Sequence, residues 1–220
     1  MPPSTRRAIS QRELNRATLA RQLLLERARL PVSRAVERLG AMQAQSAKAP
    51  YAGLWSRLEG FRREQLTRAY ERKRVVRSTL FRVTVQLVSA ADHPSFAALM
   101  HARWRDEFAN WKLPAEEWSR RIVRLAANGP FTYAEANAAV PELPKRYRWR
   151  VRCLTPLVHV PPAGTWGNHR IHLTTAERWL GRSRVKRGTR PSSWSSGISP
   201  VTGRRRRPTF CASRASAPET

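Results

Sequence analysis

Aspartate is almost missing from this chain of 220 residues: Asp92 and Asp106 are the only two. Chemistry that gathers several aspartates around metal ions is therefore a poor expectation. Cysteine is equally scarce. Cys153 and Cys211 are too few for a disulfide framework or a four-cysteine zinc site. No apolar run reaches the ~18 residues that a membrane span needs, so no membrane partner is expected. The opening segment, MPPSTRRAISQREL, has basic residues but no apolar stretch behind them, unlike a secretory signal. Negative charge is scarce overall, with 42 Lys and Arg against 15 Asp and Glu and a net charge of +27. That excess makes polyanions the first partner class, and nucleic acid foremost among them. An apolar fraction of 41% with eight Trp supports a packed core rather than a disordered chain.

Residues 181–220 differ from the rest. They hold ten Lys or Arg, one acid (Glu219), eight Ser, four Pro, four Gly and no Leu. Such a stretch cannot bury enough apolar area to offset its ordering entropy, so disorder is expected. Two accounts fit it: a basic tail gripping phosphates through Arg204–Arg207, or an out-of-frame terminus whose Arg/Pro/Ser bias reflects a GC-rich coding strand.

The body reads as mainly α with small β-hairpins, an α+β class organised as two copies of one plan. In the second copy, Trp118, Ile122 and Leu125 recur at helical spacing over 115–127, and Asn128-Gly129 supplies a stop. Thr132 and Glu135 form a capping box opening a helix over 133–139. Residues 145–155 carry Tyr147, Val151 and Leu154 on one stripe, with Lys145, Arg146, Arg148, Trp149 and Arg152 largely elsewhere. A strand at 157–161, a turn at 163–168 and a returning strand at 169–174 complete a winged-helix order. The basic helix fits a DNA major groove, and the hairpin brings Trp166, His169 and Arg170 toward the phosphate backbone. The alternative is a solvated basic helix in a domain used for protein contacts.

The first copy opens with a Ser10/Glu13 capping box and a helix over 11–27 that is expected to bury Leu14, Leu19, Leu23 and Leu24. A short helix (34–40), a loop (41–48) with Gln43 and Gln45, and helices at 51–58 and 62–70 follow. Leu54, Trp55 and Leu58 are expected inward. Residues 74–88 are rich in β-branched side chains and read as a strand pair. A long helix over 92–110, with Phe96, Leu99, Met100 and Trp104 apolar, connects the copies. The domains expected are thus 10–91, a connector 92–114, 115–180, and the segment 181–220.

Single residues have bland readings as well. His169 and His172 lie three apart on a strand, where side chains point to opposite faces, so a zinc pair is not expected. His93 and His101 fit packing or solvent roles. Glu116 and Glu117 suit a helix N-terminus. Cys153 fits a packed thiol, Trp55, Trp104 and Trp118 fit core positions, and Trp149 and Trp166 are the better candidates for stacking on nucleic acid. On their own, Gln43 and Gln45 read equally well as backbone-capping or solvated loop glutamines.

Several segments together resemble a bacterial family of winged-helix DNA glycosylases, the AlkZ/YcaQ type. They are Leu39-Gly40-Ala41-Met42-Gln43-Ala44-Gln45, YAGLWSRL at 51–58, VRSTLFRVTVQLV at 76–88 followed by Ala91-Asp92, Ala127-Asn128-Gly129-Pro130-Phe131-Thr132, and Glu177-Arg178-Trp179-Leu180. The resemblance spans roughly residues 10–180. It implies tandem winged helices around a basic channel and excision of alkylated purines from double-stranded DNA, in some members with unhooking of crosslinks. It implies no metal, no cofactor, no obligate protein partner, and a cytoplasmic, nucleoid-associated location. The glutamine pair is the family's catalytic motif, so Gln43 and Gln45 would position a water at the sugar C1′. An N-alkylated purine is already cationic and leaves readily, so orienting amides can suffice without strong acid catalysis.

The chain departs from the family pattern in three places. A motif expected to read arginine-glycine-threonine-x-histidine reads Arg82-Val83-Thr84-Val85-Gln86, with Val83 for glycine and Gln86 for histidine. A third winged helix is expected after Trp179, where 181–220 stands instead, so the chain reads as C-terminally truncated and its activity as open to loss. The alternatives are a non-catalytic DNA-binding protein or regulator, which would release no base, and a protein-interaction scaffold, whose binding would resist salt.

Overall fold

The computed structural model describes residues 8–168 and 170–181. Helix α1 (Gln11–Arg21) starts at the expected capping box: Ser10 Oγ accepts from the Glu13 amide at 3.2 Å, and the Glu13 carboxylate accepts from the Ser10 amide at 2.9 Å. It then departs from expectation. The helix ends at Arg21 rather than residue 27, because the chain turns at Leu23 with φ 57°. The leucines therefore do not share one helical stripe. Leu23 is buried, but Leu14, Leu19 and Leu24 are exposed, and α1 buries no residue.

Helix α2 (Val32–Leu39) buries Val32, Ala35 and Val36, and Gly40 ends it at φ 78°. The next residues form strand β1 (Met42–Gln43), where sequence reading expected a loop. Helices α3 (Ala49–Trp55) and α4 (Arg63–Glu71) follow. Trp55 is exposed, not inward, and the Arg27 guanidinium lies 4.7 Å over its ring. The strand pair is present as β2 (Val75–Thr79) and β3 (Val85–Ser89), in register from Val75↔Ser89 to Thr79↔Val85.

Helix α5 (His93–Asn110) buries Phe96, Met100, Trp104 and Phe108 and leaves Leu99 exposed. Helix α6 (Ala115–Leu125) and the capped helix α7 (Tyr133–Ala138) match expectation closely. The basic segment does not form one helix. Lys145–Tyr147 is a 3-10 turn, and α8 (Arg148–Leu154) is only seven residues long. Strands β4 (Leu157–His159) and β5 (Leu173–Thr175) pair antiparallel before α9 (Ala176–Leu180). The returning strand thus starts at Leu173 and not at His169, which lies outside the described residues, as do 182–220.

The two hairpins are joined. Strand β2 pairs with β4 at Ser78↔Val158, giving a single antiparallel sheet in the order β1-β3-β2-β4-β5. Ser78 Oγ donates to the Leu157 carbonyl at 2.7 Å across that seam. Alternate residues of a strand face opposite sides, and here each side meets a core. Val76 and Val88 pack with Phe96, Phe108, Trp118, Ile122 and Leu154. Val75, Val85 and Leu87 pack with Val36, Tyr51, Leu54 and Leu66. Each fully buried aliphatic or aromatic side chain contributes roughly 1.5–3 kcal/mol. The sheet is therefore held from both faces, and this fixes the frame that carries the glutamines. The architecture is α+β.

Candidate functional site

Gln43 and Gln45 stand on the exposed edge of that frame. Gln43 is the register partner of Gln86 on β3, and the Ala44 amide continues the ladder by donating to the Val85 carbonyl at 2.8 Å. Gln43 lies on β1 and Gln45 in the bend just beyond it, and their side chains reach neighbouring residues of β3, Gln86 and Val85. Both are exposed, whereas Gln86 is buried.

The hydrogen bonds give these amides a direction. The Val85 amide, an obligatory donor, lies 3.1 Å from Gln45 Oε1, so the contacting atom of Gln45 must be oxygen. Thr84 Oγ1 donates to the Phe81 carbonyl at 3.1 Å and thus accepts from Gln86 Nε2 at 2.7 Å. The same Gln86 nitrogen donates to Gln43 Oε1 at 3.0 Å, with Thr84 Oγ1 at 3.3 Å from that oxygen. With Gln86 in this orientation, turning the Gln43 amide over by itself would set two NH2 groups face to face, at a cost of about 1–3 kcal/mol. Both glutamines therefore spend their oxygens on the hairpin. Their NH2 groups have no hydrogen-bond partner among the described residues.

The peptide between them is held as well. Arg77, buried within β2, donates from Nη2 to the Ala44 carbonyl. Its guanidinium also fills the space over Gly164 in the β4–β5 connection, where φ is 77° and a Cβ would collide with it. Sequence reading missed Arg77. The available signal was a guanidinium set inside the apolar run VVRSTLF.

The connection carries Trp166 back across the first half. The Trp166 amide donates to Tyr51 Oη at 3.1 Å, the two rings meet edge to face at 5.5 Å, and Lys48 Nζ and the Arg63 guanidinium lie 5.6 and 5.3 Å from the indole centroid. Trp166 remains 41% exposed beside these two cations. Arg170 lies elsewhere, in a shallow groove of about 440 Å³ with Thr132, Tyr133, Ala134, Ile171 and His172.

The basic helix is only partly as expected. Lys145 and Arg146 are exposed, Arg148 is half-buried, and none of the three is in an ion pair among the described residues. Trp149 is 38% exposed and meets Tyr133 edge to face at 5.4 Å. Arg152 is the correction: it is buried, with its guanidinium 3.7 Å from the Tyr133 ring centroid and 4.3 Å from that of Trp149. Seven residues of α8 bring position 152 round onto α7, and the two rings replace the water lost on burial. Burial pushes its pKa below the ordinary arginine value. The guanidinium that was expected to contact DNA is thus held inside the fold.

Other titratable groups are structural. Burial, reinforced by the Arg77 and Arg152 charges, pushes His159 down to about 3, and burial pushes His93 down to about 4. Cys153 is raised to about 12 by burial, which makes it an inert packed thiol. His101 lies 3.7 Å from Glu116, an acidic neighbour not foreseen from sequence. Among the described residues no group of three His, Cys, Asp or Glu could hold a metal ion, and no helix is long and apolar enough to cross a membrane.

Comparison with known proteins adds family information to this geometry. The family model described as DNA glycosylase AlkZ-like matches residues 36–209. That match runs past Gly181, into the segment set apart by composition. Among solved structures, the Streptomyces sahachiroi DNA glycosylase AlkZ is similar over 74% of this chain, with 19% identity and a TM-score of 0.59. The similarity covers 48% of that protein, so the chain spans about half the length of this relative. No curated protein matches.

Proposed function

Because the chain belongs to the AlkZ-like DNA glycosylase family, we propose that it hydrolyses N-glycosidic bonds of alkylated or crosslinked purines in double-stranded DNA. Gln43 and Gln45 serve as the catalytic residues. The observation that carries this is the direction of the amide network: two exposed glutamines whose oxygens are both engaged by the β2–β3 hairpin. One N–H holds a water by its oxygen against C1′, and the other braces the departing base. The reaction balances without an acid. The cationic nucleoside and water yield the neutral base, a hydroxyl on the sugar, and a proton released to solvent. Fixed donors of this kind contribute through positioning and preorganised polarity.

DNA is held electrostatically. Lys145, Arg146 and Arg148 meet phosphates, Trp149 and Trp166 offer ring faces, and Arg170 lines a second contact. Arg152 is not part of this surface. The two halves, 10–91 and 115–180 about the connector 92–114, act as winged-helix-like units sharing one sheet. No metal or cofactor is needed.

Single-turnover release of base from a duplex containing 7-methylguanine tests the reading. Intact protein should release base, and a Gln43→Ala/Gln45→Ala double variant should lose on the order of 10²-fold or more. Absence of release by intact protein sinks the enzymatic reading. A second reading, a non-catalytic DNA-binding protein, draws on one observation: Gln86 supplies a neutral amide where the family resemblance implies an imidazole. Under it, DNA binding persists while release is absent.

A further inference from the structure

We propose that Arg77 is a positioning residue for the glutamine pair, a latch that ties the peptide between Gln43 and Gln45 to the β4–β5 connection. Its catalytic consequence rests on the glycosylase reading above.

A guanidinium inside a buried strand is costly unless paired. Arg77 lies within such a strand, yet among the described residues no carboxylate is in ion-pair distance of it. Its hydrogen bond goes to a backbone carbonyl instead, that of Ala44. The position of that carbonyl is what matters. The Ala44 N–H is already fixed on Val85, so Arg77 immobilises the other side of the same residue. With both groups tied, the two peptide groups flanking the Ala44 Cα, which join the glutamines, are restrained from both sides.

The second half of the latch is Gly164. Its positive φ and the guanidinium pressed against it both exclude a side chain. Two residues further on, Trp166 docks on Tyr51 and keeps part of its side chain exposed. A ligand contacting Trp166 thus pulls on a segment that leans on Arg77, which in turn holds Ala44. Arg77 is the piece through which DNA contact at the connection and amide placement at β1 share one rigid part.

The test uses the full chain with Arg77→Met, Arg77→Lys and Gly164→Ala. Two readouts are taken: the single-turnover rate constant with 7-methylguanine duplex beside the duplex Kd, and the side-chain amide NMR signals of Gln43 and Gln45, assigned by their disappearance in Gln43→Ala and Gln45→Ala. Arg77→Met should lower the rate constant about 10²-fold, the scale of a misplaced catalytic group, with Kd changed by less than about threefold. Arg77→Lys, which keeps a donor, should recover part of the rate. The Gln43 and Gln45 signals should move in Arg77→Met. A folded Arg77→Met with an unchanged rate, a parallel loss of rate and affinity, or unmoved amide signals each overturns the latch. If Arg77→Met does not fold, Gly164→Ala decides by the same readouts, a lowered rate with moved amide signals supporting it and unchanged values overturning it. If the intact chain releases no base, the glycosylase reading fails and the amide signals alone decide the latch.

Discussion

Gln86 Nε2 donates to Gln43 Oε1 across 3.0 Å, and the two residues are register partners on neighbouring strands. Neither side chain titrates, so the orientation of Gln43 does not change with pH. Single-turnover base release at saturating protein should be flat from about pH 5.5 to 8. Gln86→His places a buried imidazole against the same oxygen, and burial shifts its charge change below the ordinary value of about 6.5. Once protonated it repels a cationic purine, so the rate of this variant should fall at pH values below about 6.5 while the intact protein stays flat. A pH profile that is equally flat in both proteins would remove Gln86 from the network.

Val83 has a left-handed backbone, φ 58°, in the tight turn joining β2 to β3. A β-branched side chain there is strained, and only glycine is at ease. Val83→Gly and Val83→Ala both remove the γ-methyls and differ by a single Cβ, so their difference is mainly that of the backbone. Gly should exceed Ala in urea unfolding stability by about 1 kcal/mol, the reverse of the usual order in regular structure. The family motif expects glycine at this position, which gives that expectation a physical cause.

Lys145 and Arg146 project into solvent, while Arg152 is enclosed by Tyr133 and Trp149. Substitutions should therefore split. Lys145→Ala and Arg146→Ala should each weaken duplex binding and reduce the slope of log K against log salt by about 1, with thermal stability nearly unchanged. Arg152→Ala should lower the unfolding midpoint, because it removes a cation packed between two rings, and should leave the salt slope intact. Anisotropy titrations at several salt concentrations and thermal melts distinguish the two classes.

Acid should destabilise the chain earlier than carboxylate titration alone implies. His159 and His93 are held neutral, at about 3 and about 4 in the folded state, against about 6.5 when unfolded. Between those values the unfolded chain binds the extra protons, so stability falls as pH falls. The contribution is complete above about pH 6.5 and is lost progressively below it, by about 1 kcal/mol per pH unit for each ring. Urea midpoints measured at pH 7 and pH 5 should show this loss, and His159→Gln should reduce it.

Local signals in the sequence located most of the elements. Ser10 with Glu13 and Thr132 with Glu135 marked two helix starts because a capping box is complete within four residues. The β-branched run at 74–88 marked the hairpin, which forms over Val75–Thr79 and Val85–Ser89. What failed depended on distant partners. The leucines of α1 look like a core stripe, but nothing in the described fold covers them, and Trp55 faces out beside Arg27. Helical spacing put Arg152 opposite the apolar stripe, yet spacing does not reveal that Tyr133 would close over it. The guanidinium inside VVRSTLF was a visible oddity, but the role of Arg77 depends on Ala44, 33 residues before it in sequence, and on Gly164, far beyond it. Gln43 and Gln45 were identified through resemblance, while their donor-outward orientation required the fixed Val85 and Phe81 backbone groups.

The seam at Ser78 and Val158 has a consequence for how this molecule can be taken apart. A nick in the 111–114 stretch would cut the chain without separating its products, since the sheet runs straight across the break. Either fragment made alone would show a raw strand flank, β2 in one and β4 in the other, each a template for pairing with whatever strand it met first. Co-expressed, the two pieces would find each other through those flanks and rebuild the sheet.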